Sequence, residues 1–219
     1  MGVPGKGVEV GKLQAVAREI AAVRKLGVQV GVVVGGGNIW RKRNQGRGLD
    51  PVAADFMGML ATVMNALALA QALRSLKFTV AVQSPIAADV PLVGKLNPRA
   101  ARRVLGRGGV VVFPGSTGRP YLTSDTAAAM RARDIAAEVI VKLSQVDGVY
   151  TADPNKVRSA KKYRTLTMAA ALRCRLGVMD KEAFQICRKA KIPIIVCRWG
   201  RGVVGGVVRG EQVGTLVTP

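Results

Sequence analysis

Residues 28–38 read VQVGVVVGGGN, and this stretch decides the fold. The segment over 28–34 is almost continuously apolar and lacks the alternation of a half-exposed strand, so it predicts a strand buried on both faces, as in a parallel sheet covered by helices. It runs directly into Gly35-Gly36-Gly37-Asn38. Glycines after a strand let backbone N–H groups approach a phosphate with no Cβ in the way. The same glycines also suit a plain turn.

Working outward, residues 12–26 place Leu13, Val16, Ala17, Ile20 and Val23 on one helical face, with Gly27 as the stop. Downstream, RKRNQGRG (41–48) reads as a basic loop. Asp50-Pro51 then supplies an N-cap followed by proline at the first helical position, opening a helix to about Ser75. Strands are expected over 78–83, 109–115, 138–144 and 192–198, with a short last one in QVGTLVTP (212–219). Helices are expected from Asn97-Pro98 to Gly106, in TSDTAAAMRARDIAAE (123–138), and near 167–176 and 180–191. This alternation predicts an α/β fold, a three-layer αβα sandwich with a largely parallel central sheet, in one domain over 1–219.

Composition narrows the chemistry. An apolar content of 49% with only 4% aromatics predicts a core packed by aliphatic side chains and argues against disorder. With 34 Lys and Arg, 13 Asp and Glu and no histidine, the net charge is +21. Such a charge draws polyanions, with nucleotides, nucleic acid and anionic membrane as candidates beside a merely solvated basic surface. The absence of histidine excludes imidazole bases and His-ligated metals. Cys174, Cys187 and Cys197 show no CxxC spacing, which argues against a disulfide framework or zinc site and fits free or buried thiols in a reducing compartment. The apolar stretch 57–72 contains Asn65 and Gln71 and reads as a buried helix rather than a membrane span. The first ten residues, MGVPGKGVEV, have no apolar core of a secretory signal.

Two further loops follow predicted strands. Residues 115–126, GSTGRPYLTSDT, gather glycines and hydroxyls before a helix N-terminus, which suits an anion or simply a capped helix. Residues 146–154, VDGVYTADP, suit a ligand-facing loop or an Asx turn. In an open α/β sheet, ligands bind beyond the carboxyl ends of the strands, where all three loops are expected. Neither a Walker A motif nor a GxGxxG after a strand is present.

In chain order, VVVGGGNIWR (32–41), AADFMGMLATVMNALAL (53–69), STGRPYLTSDTAAAMRA (116–132), VDGVYTADPNK (146–156), KYRTLT (162–167), VMDKEAFQICR (178–188) and GEQVGTLV (210–217) resemble the bacterial and plastid UMP kinases. The resemblance covers nearly the whole chain from about residue 9, and residues 17–27 with 59–69 look closest to the cyanobacterial and plastid branch. It implies an amino-acid-kinase fold, transfer of the ATP γ-phosphoryl group to UMP, Mg2+ with the ATP, a homohexamer, and a bacterial cytoplasm or plastid stroma. It implies that Gly36 and Gly37 touch nucleotide phosphates, Gly37 on the ATP side, and that Arg41 joins them in catalysis. Asp55 would bind the UMP ribose, and Thr117, Gly118, Arg119, Pro120, Tyr121, Leu122, Thr123 and Ser124 would surround UMP. Ser144, Tyr150 and Asp153 would meet the ATP base and ribose, and Asp125 would organise the catalytic cations.

The sequence departs from the family in several places. The family's first strand reads roughly Lys-Leu-Ser-Gly-Glu, and its lysine contacts the transferred phosphoryl group; Met1 to Lys6 already matches the loop beyond it, with Lys6 and Lys12 the nearest cations. The expectation is a chain short by one strand that binds UMP better than it phosphorylates it. Residues 85–95 lack the family's acidic and Tyr/Arg residues, Ser116 stands for Gly, Arg119 for Asn and Ser144 for Thr. Basic clusters at Arg41, Lys42, Arg43 and Arg47, at Arg99, Arg102, Arg103 and Arg107, and at Lys156, Arg158, Lys161, Lys162 and Arg164 leave open a second class of function: a structural or RNA-binding subunit of a larger assembly.

Overall fold

The computed structural model describes residues 7–86 and 89–219, with the side chain of Arg43 excepted. Lys6 therefore lies outside the described residues, as do Ala87 and Ala88 of the divergent 85–95 segment. The chain forms two compact units, residues up to Ala127 and residues from Ala128 onward.

The first unit opens with α1 (Val10–Lys25), whose buried Leu13, Ala17, Ile20 and Val23 follow the predicted stripe. Lys12 sits on its exposed side, paired with Glu9 at 3.0 Å. Gly27 takes a φ of +83° just past the helix end, as its role of stop requires. Then come β1 (Val30–Val33), α2 (Lys42–Gln45) and α3 (Pro51–Ser75), followed by β2 (Val80–Ser84), β3 (Gly94–Lys95), α4 (Pro98–Gly106) and β4 (Val110–Phe113). The strands form a four-stranded sheet in the order β1-β4-β2-β3, with every pair parallel. β4 is buried along its whole length. Among the described residues β1 has one neighbour in that sheet and is only half-buried, with Gly31 exposed, so it departs from the full burial expected of the 28–34 run, while β4 lies buried within the 109–115 run. Val110 and Val112 of β4 face a core of Leu13, Ala17 and Ile20 from α1 and Ala66, Leu69 and Leu73 from α3.

Asp50 caps α3 by accepting the Ala53 amide at 2.7 Å, with Pro51 at the first helical position. Among the described residues α3 is the one helix long and apolar enough, by length and composition, to cross a membrane. Its buried side has the character of a core helix: it packs on α1 and β2 and carries Thr62 and Asn65, both hydrogen-bonded. Its other side departs from the expected full burial, because Phe56, Met57, Leu60 and Met64 are exposed.

Helix α5 (Ser124–Asp134) contains the division between the units. The second unit continues with β5 (Ile140–Ser144), β6 (Thr165–Thr167), α6 (Met168–Arg173), α7 (Lys181–Ala190), β7 (Ile194–Arg198), α8 (Val203–Val208) and β8 (Thr215–Thr218). These strands form a second four-stranded sheet, β5-β7-β8-β6, parallel except for the β7–β8 pair. Phe184, Met168, Ile194 and Val217 fill its core. Cys187 and Cys197 are buried free thiols and Cys174 is exposed. Burial, helped by the nearby Asp180 charge, pushes the Cys187 thiol up to about 11, so it stays neutral.

One contact ties the first unit's framework to its loops. The side-chain amides of Asn38 and Asn65 exchange hydrogen bonds at 2.7 and 3.0 Å, and Asn65 also donates to the Gly35 carbonyl at 2.7 Å. Asn65→Leu keeps the volume and strands those partners in a buried place, at roughly 1–3 kcal/mol for each group left unpaired. We expect the urea midpoint to fall by the equivalent of at least about 2 kcal/mol. An unchanged midpoint would show that the amide pair does not hold the loop.

Candidate active site

The loop after β1 passes very close to α3. A Cβ on Gly36 would lie 2.7 Å from the Gly58 carbonyl and 2.9 Å from the Ala61 side chain, so only glycine fits there. The Gly36 carbonyl accepts the Ile39 and Trp40 amides at 2.9 Å each, turning the chain toward α2. Trp40 anchors that turn by donating from its indole nitrogen to the Ala54 carbonyl at 2.9 Å.

A second loop, between β4 and α5, meets the same helix. Thr62 Oγ1 donates to the Met59 carbonyl and accepts the Gly115 amide, both at 2.6 Å. Four residues of this loop have positive φ: Gly115 (+81°), Ser116 (+51°), Gly118 (+78°) and Tyr121 (+63°). For Ser116 and Tyr121 this conformation costs roughly 1–3 kcal/mol each and persists only where neighbours enforce it. For Tyr121 the enforcing contact is its amide, which donates to Asp55 Oδ2 at 2.8 Å. Thr117 is buried and bonded within the loop to the Arg119 backbone at 3.2 Å. Ser116 Oγ is buried and, among the described residues, has no hydrogen-bond partner.

Between these loops and α3 lies a pocket of about 180 Å³ lined by Gly35, Gly36, Trp40, Lys42, Ala54, Asp55, Gly58, Met59, Thr62, Ser116, Leu122 and Ser124. Of the residues expected around UMP, Gly36, Asp55, Leu122 and Ser124 line it. Thr117, Gly118, Arg119, Pro120, Tyr121 and Thr123 belong to the same loop without lining the pocket, and Tyr121 is 70% exposed. Arg41 is exposed and turns back, donating from Nε to the Gly37 carbonyl at 2.9 Å. Neither Arg41 nor Gly37 lines the pocket. Asp125 stands in the first turn of α5, its amide bonded to Thr123 Oγ1 at 3.0 Å.

The polar residues not expected at the site are Lys42, Thr62, Ser116 and the indole of Trp40. Lys42 Nζ donates to Asp55 Oδ1 at 2.9 Å and to the Pro51 carbonyl at 3.0 Å, and lies 5.4 Å from the centre of the Tyr121 ring. Burial pushes the Asp55 carboxyl up, but the hydrogen bonds from Lys42 and the Tyr121 amide and the Lys42 charge outweigh it, and the net shift is downward. Asp55 is therefore an anion at neutral pH. A signal was available for Thr62 and Asn65, polar residues inside an apolar helix pattern. None was available for Lys42, which reads as one more cation in a basic loop.

In the second unit, Ser144 ends β5 and accepts the Val146 amide at 3.4 Å. Tyr150 donates its hydroxyl to Asp147 Oδ1 at 2.6 Å, and Lys162 pairs with Asp147 Oδ2 at 2.9 Å. The Tyr150 and Lys162 hydrogen bonds hold the Asp147 carboxyl down at about 2, and the same bond raises the Tyr150 phenol. Asp153 Oδ1 caps a turn by accepting the Asn155 amide at 3.0 Å, the Asx geometry read from the sequence.

Known proteins share this fold. The chain resembles the UMP kinase of Bacillus anthracis with a TM-score of 0.93 and 34% identity, covering 98% of this chain and 89% of that one. It resembles the UMP kinase of Ureaplasma parvum with a TM-score of 0.89 and 32% identity, covering 97% and 91%. It resembles the uridylate kinase of Archaeoglobus fulgidus with a TM-score of 0.75 and 32% identity, covering 95% and 93%. The model of the amino acid kinase family matches residues 4–198, reaching the end of β7. Taken with the α/β architecture and its parallel strands, that match makes this chain a member of the amino acid kinase family.

Proposed function

We propose that this chain is a UMP kinase that transfers the γ-phosphoryl group of ATP to UMP, giving UDP and ADP. An oxygen of the UMP phosphate forms the new bond to the γ-phosphorus as the bond from that phosphorus to the bridging oxygen of ADP breaks. The observation that carries the reading is the pocket itself: three segments far apart in sequence, at Gly35–Gly36, Asp55 and Ser116–Ser124, converge on one cavity of about 180 Å³. Asp55 is the partner assigned to the ribose. Leu122 and Ser124 supply an apolar and a polar wall for the nucleoside, and the Gly36 and Gly37 backbone with Arg41 is assigned to the phosphates. In the second unit Ser144, Tyr150 and Asp153 are assigned to ATP. Such a transfer asks the protein for positioning and charge cancellation more than for covalent chemistry.

Among the described residues no three His, Cys, Asp or Glu side chains cluster as a metal cage. Magnesium in such a transfer is held mainly by nucleotide phosphates and one or two carboxylates, and Asp125, in the first turn of α5, is the carboxylate assigned. When bound, the ion supplies neutralisation of the charge that develops on the transferred group.

We also infer a homo-oligomer, a hexamer by family resemblance. It is supported by the exposed apolar ridge of Phe56, Met57, Leu60 and Met64 on α3, large enough in side chains to favour burial against a second copy. The free cysteines fit a reducing compartment, whether a bacterial cytoplasm or a plastid stroma.

In a coupled assay with ATP and Mg2+, the purified chain is expected to turn over UMP in preference to CMP and AMP, and to stop when the cation is chelated. Turnover of AMP without UMP would overturn the assignment. Asp55→Asn keeps an acceptor for the Tyr121 amide but loses the charge. It is expected to weaken UMP binding about tenfold or more, in line with a charged hydrogen bond of about 1.5–3 kcal/mol, at a nearly unchanged melting temperature. Unchanged UMP affinity would remove Asp55 from the site. The double variant Leu60→Lys with Met64→Lys is expected to lower the mass seen by light scattering toward the monomer; an unaltered mass would place the subunit interface elsewhere.

A further inference from the structure

Within the proposed UMP pocket, on which this inference rests, the geometry points to Lys42 as a further residue that holds the acceptor's phosphate group, with Asp55 keeping it in place until the nucleotide arrives. Arg41 and Lys42 are adjacent, yet they face different surroundings. Arg41 spends its Nε on the Gly37 carbonyl at 2.9 Å and does not line the cavity. Lys42 lines it beside Gly35, Gly36 and Ser116.

The donor count supports the assignment. An ammonium carries three N–H donors, and Lys42 uses two of them, on Asp55 Oδ1 at 2.9 Å and the Pro51 carbonyl at 3.0 Å. Ser116 lines the same cavity, and its Oγ is buried with no partner among the described residues. Buried polar groups without partners are rare and call for an explanation, such as a catalytic role or a bound water or ion. A cation with a spare donor, an orphan hydroxyl and two glycines at a loop form a set that a phosphate would satisfy and an apolar group would not.

The ion pair also explains how a lysine and a carboxylate share a nucleotide pocket without cancelling. The Lys42 side chain is 41% exposed, so its bond to Asp55 is screened by water and readily exchanged. On binding, the phosphate dianion takes the ammonium, and the sugar hydroxyls take the Asp55 oxygen that the ammonium releases. Ribose and phosphate recognition are thereby coupled through one exchange of partners. The nucleoside alone gains from Asp55 but must compete with Lys42 for it; the monophosphate removes its competitor.

Isothermal titration of the full chain with UMP and with uridine separates the roles. For Lys42→Gln we expect UMP affinity to fall about tenfold while uridine affinity holds or rises, so that the preference for UMP over uridine collapses. Lys42→Arg, which keeps the charge, is expected to restore most of that preference. Arg41→Gln is expected to alter it less than Lys42→Gln does. Equal losses for UMP and uridine in Lys42→Gln would make Lys42 a prop for Asp55 and overturn the inference, as would unchanged UMP affinity. A melting temperature matching the wild type verifies that the variant is folded, and Lys42→Met serves if Lys42→Gln is not. Wild-type protein that binds no UMP would overturn the proposed function and this inference together; wild-type UMP binding indifferent to Lys42 would overturn this inference alone.

Discussion

The pocket depends on a stripe of polar side chains along one otherwise apolar helix. Asp55, Thr62 and Asn65 are spaced so that they fall along one side of α3, and each hydrogen-bonds a different piece of loop: the Tyr121 amide, the Gly115 amide and the Gly35 carbonyl. Thr62 and Asn65 are buried, so each bond is protected from water and each loss would leave an unsatisfied group. A helix of this length is rigid over some 37 Å by its rise of about 1.5 Å per residue, and it is anchored in the core at Ala66, Leu69 and Leu73. The loops therefore inherit the precision of the core. That is the requirement for positioning two negatively charged reactants, where misplacement is costly.

The same stripe accounts for the strained backbone opposite it. Ser116 and Tyr121 hold positive φ in a loop whose two ends are pinned, one by Gly115 on Thr62 and one by Tyr121 on Asp55. The chain between them has little freedom left, and its side chains must turn either into the cavity, as Leu122 does, or away from it, as Tyr121 does. Glycine at position 36 completes the enclosure. Its close approach to Gly58 and Ala61 brings the first loop onto α3 with no side chain intervening.

Much of this was legible in residues because the informative patterns are long or chemically marked. The apolar run before Gly35, the Asp50-Pro51 helix start and the Asn97-Pro98 start all form where their chemistry demands. Strands β1, β2, β4, β5 and β7 begin one or two residues inside the expected runs, since an apolar run extends past the point where a neighbour offers hydrogen bonds. The short elements α2, β3, β6 and α8, of two to six residues each, were not legible: none spans enough residues to show a period, and tertiary packing decides them. Residues 41–48, expected as loop, contain α2, and that single helical turn carries Lys42 to Asp55. In the site, Asp55, Ser124 and the glycines carried signals of type and place. Lys42 did not, because what distinguishes it is the direction of its side chain in three dimensions.

The central claim is that the cavity against α3 receives the acceptor nucleotide, and a crystal structure of the full chain grown with UMP tests it most directly. The account predicts UMP in that cavity, with its ribose hydroxyls on Asp55 and its phosphate beside Gly35 and Gly36. UMP bound at another place, with the cavity empty and Asp55 still paired to Lys42, would contradict it.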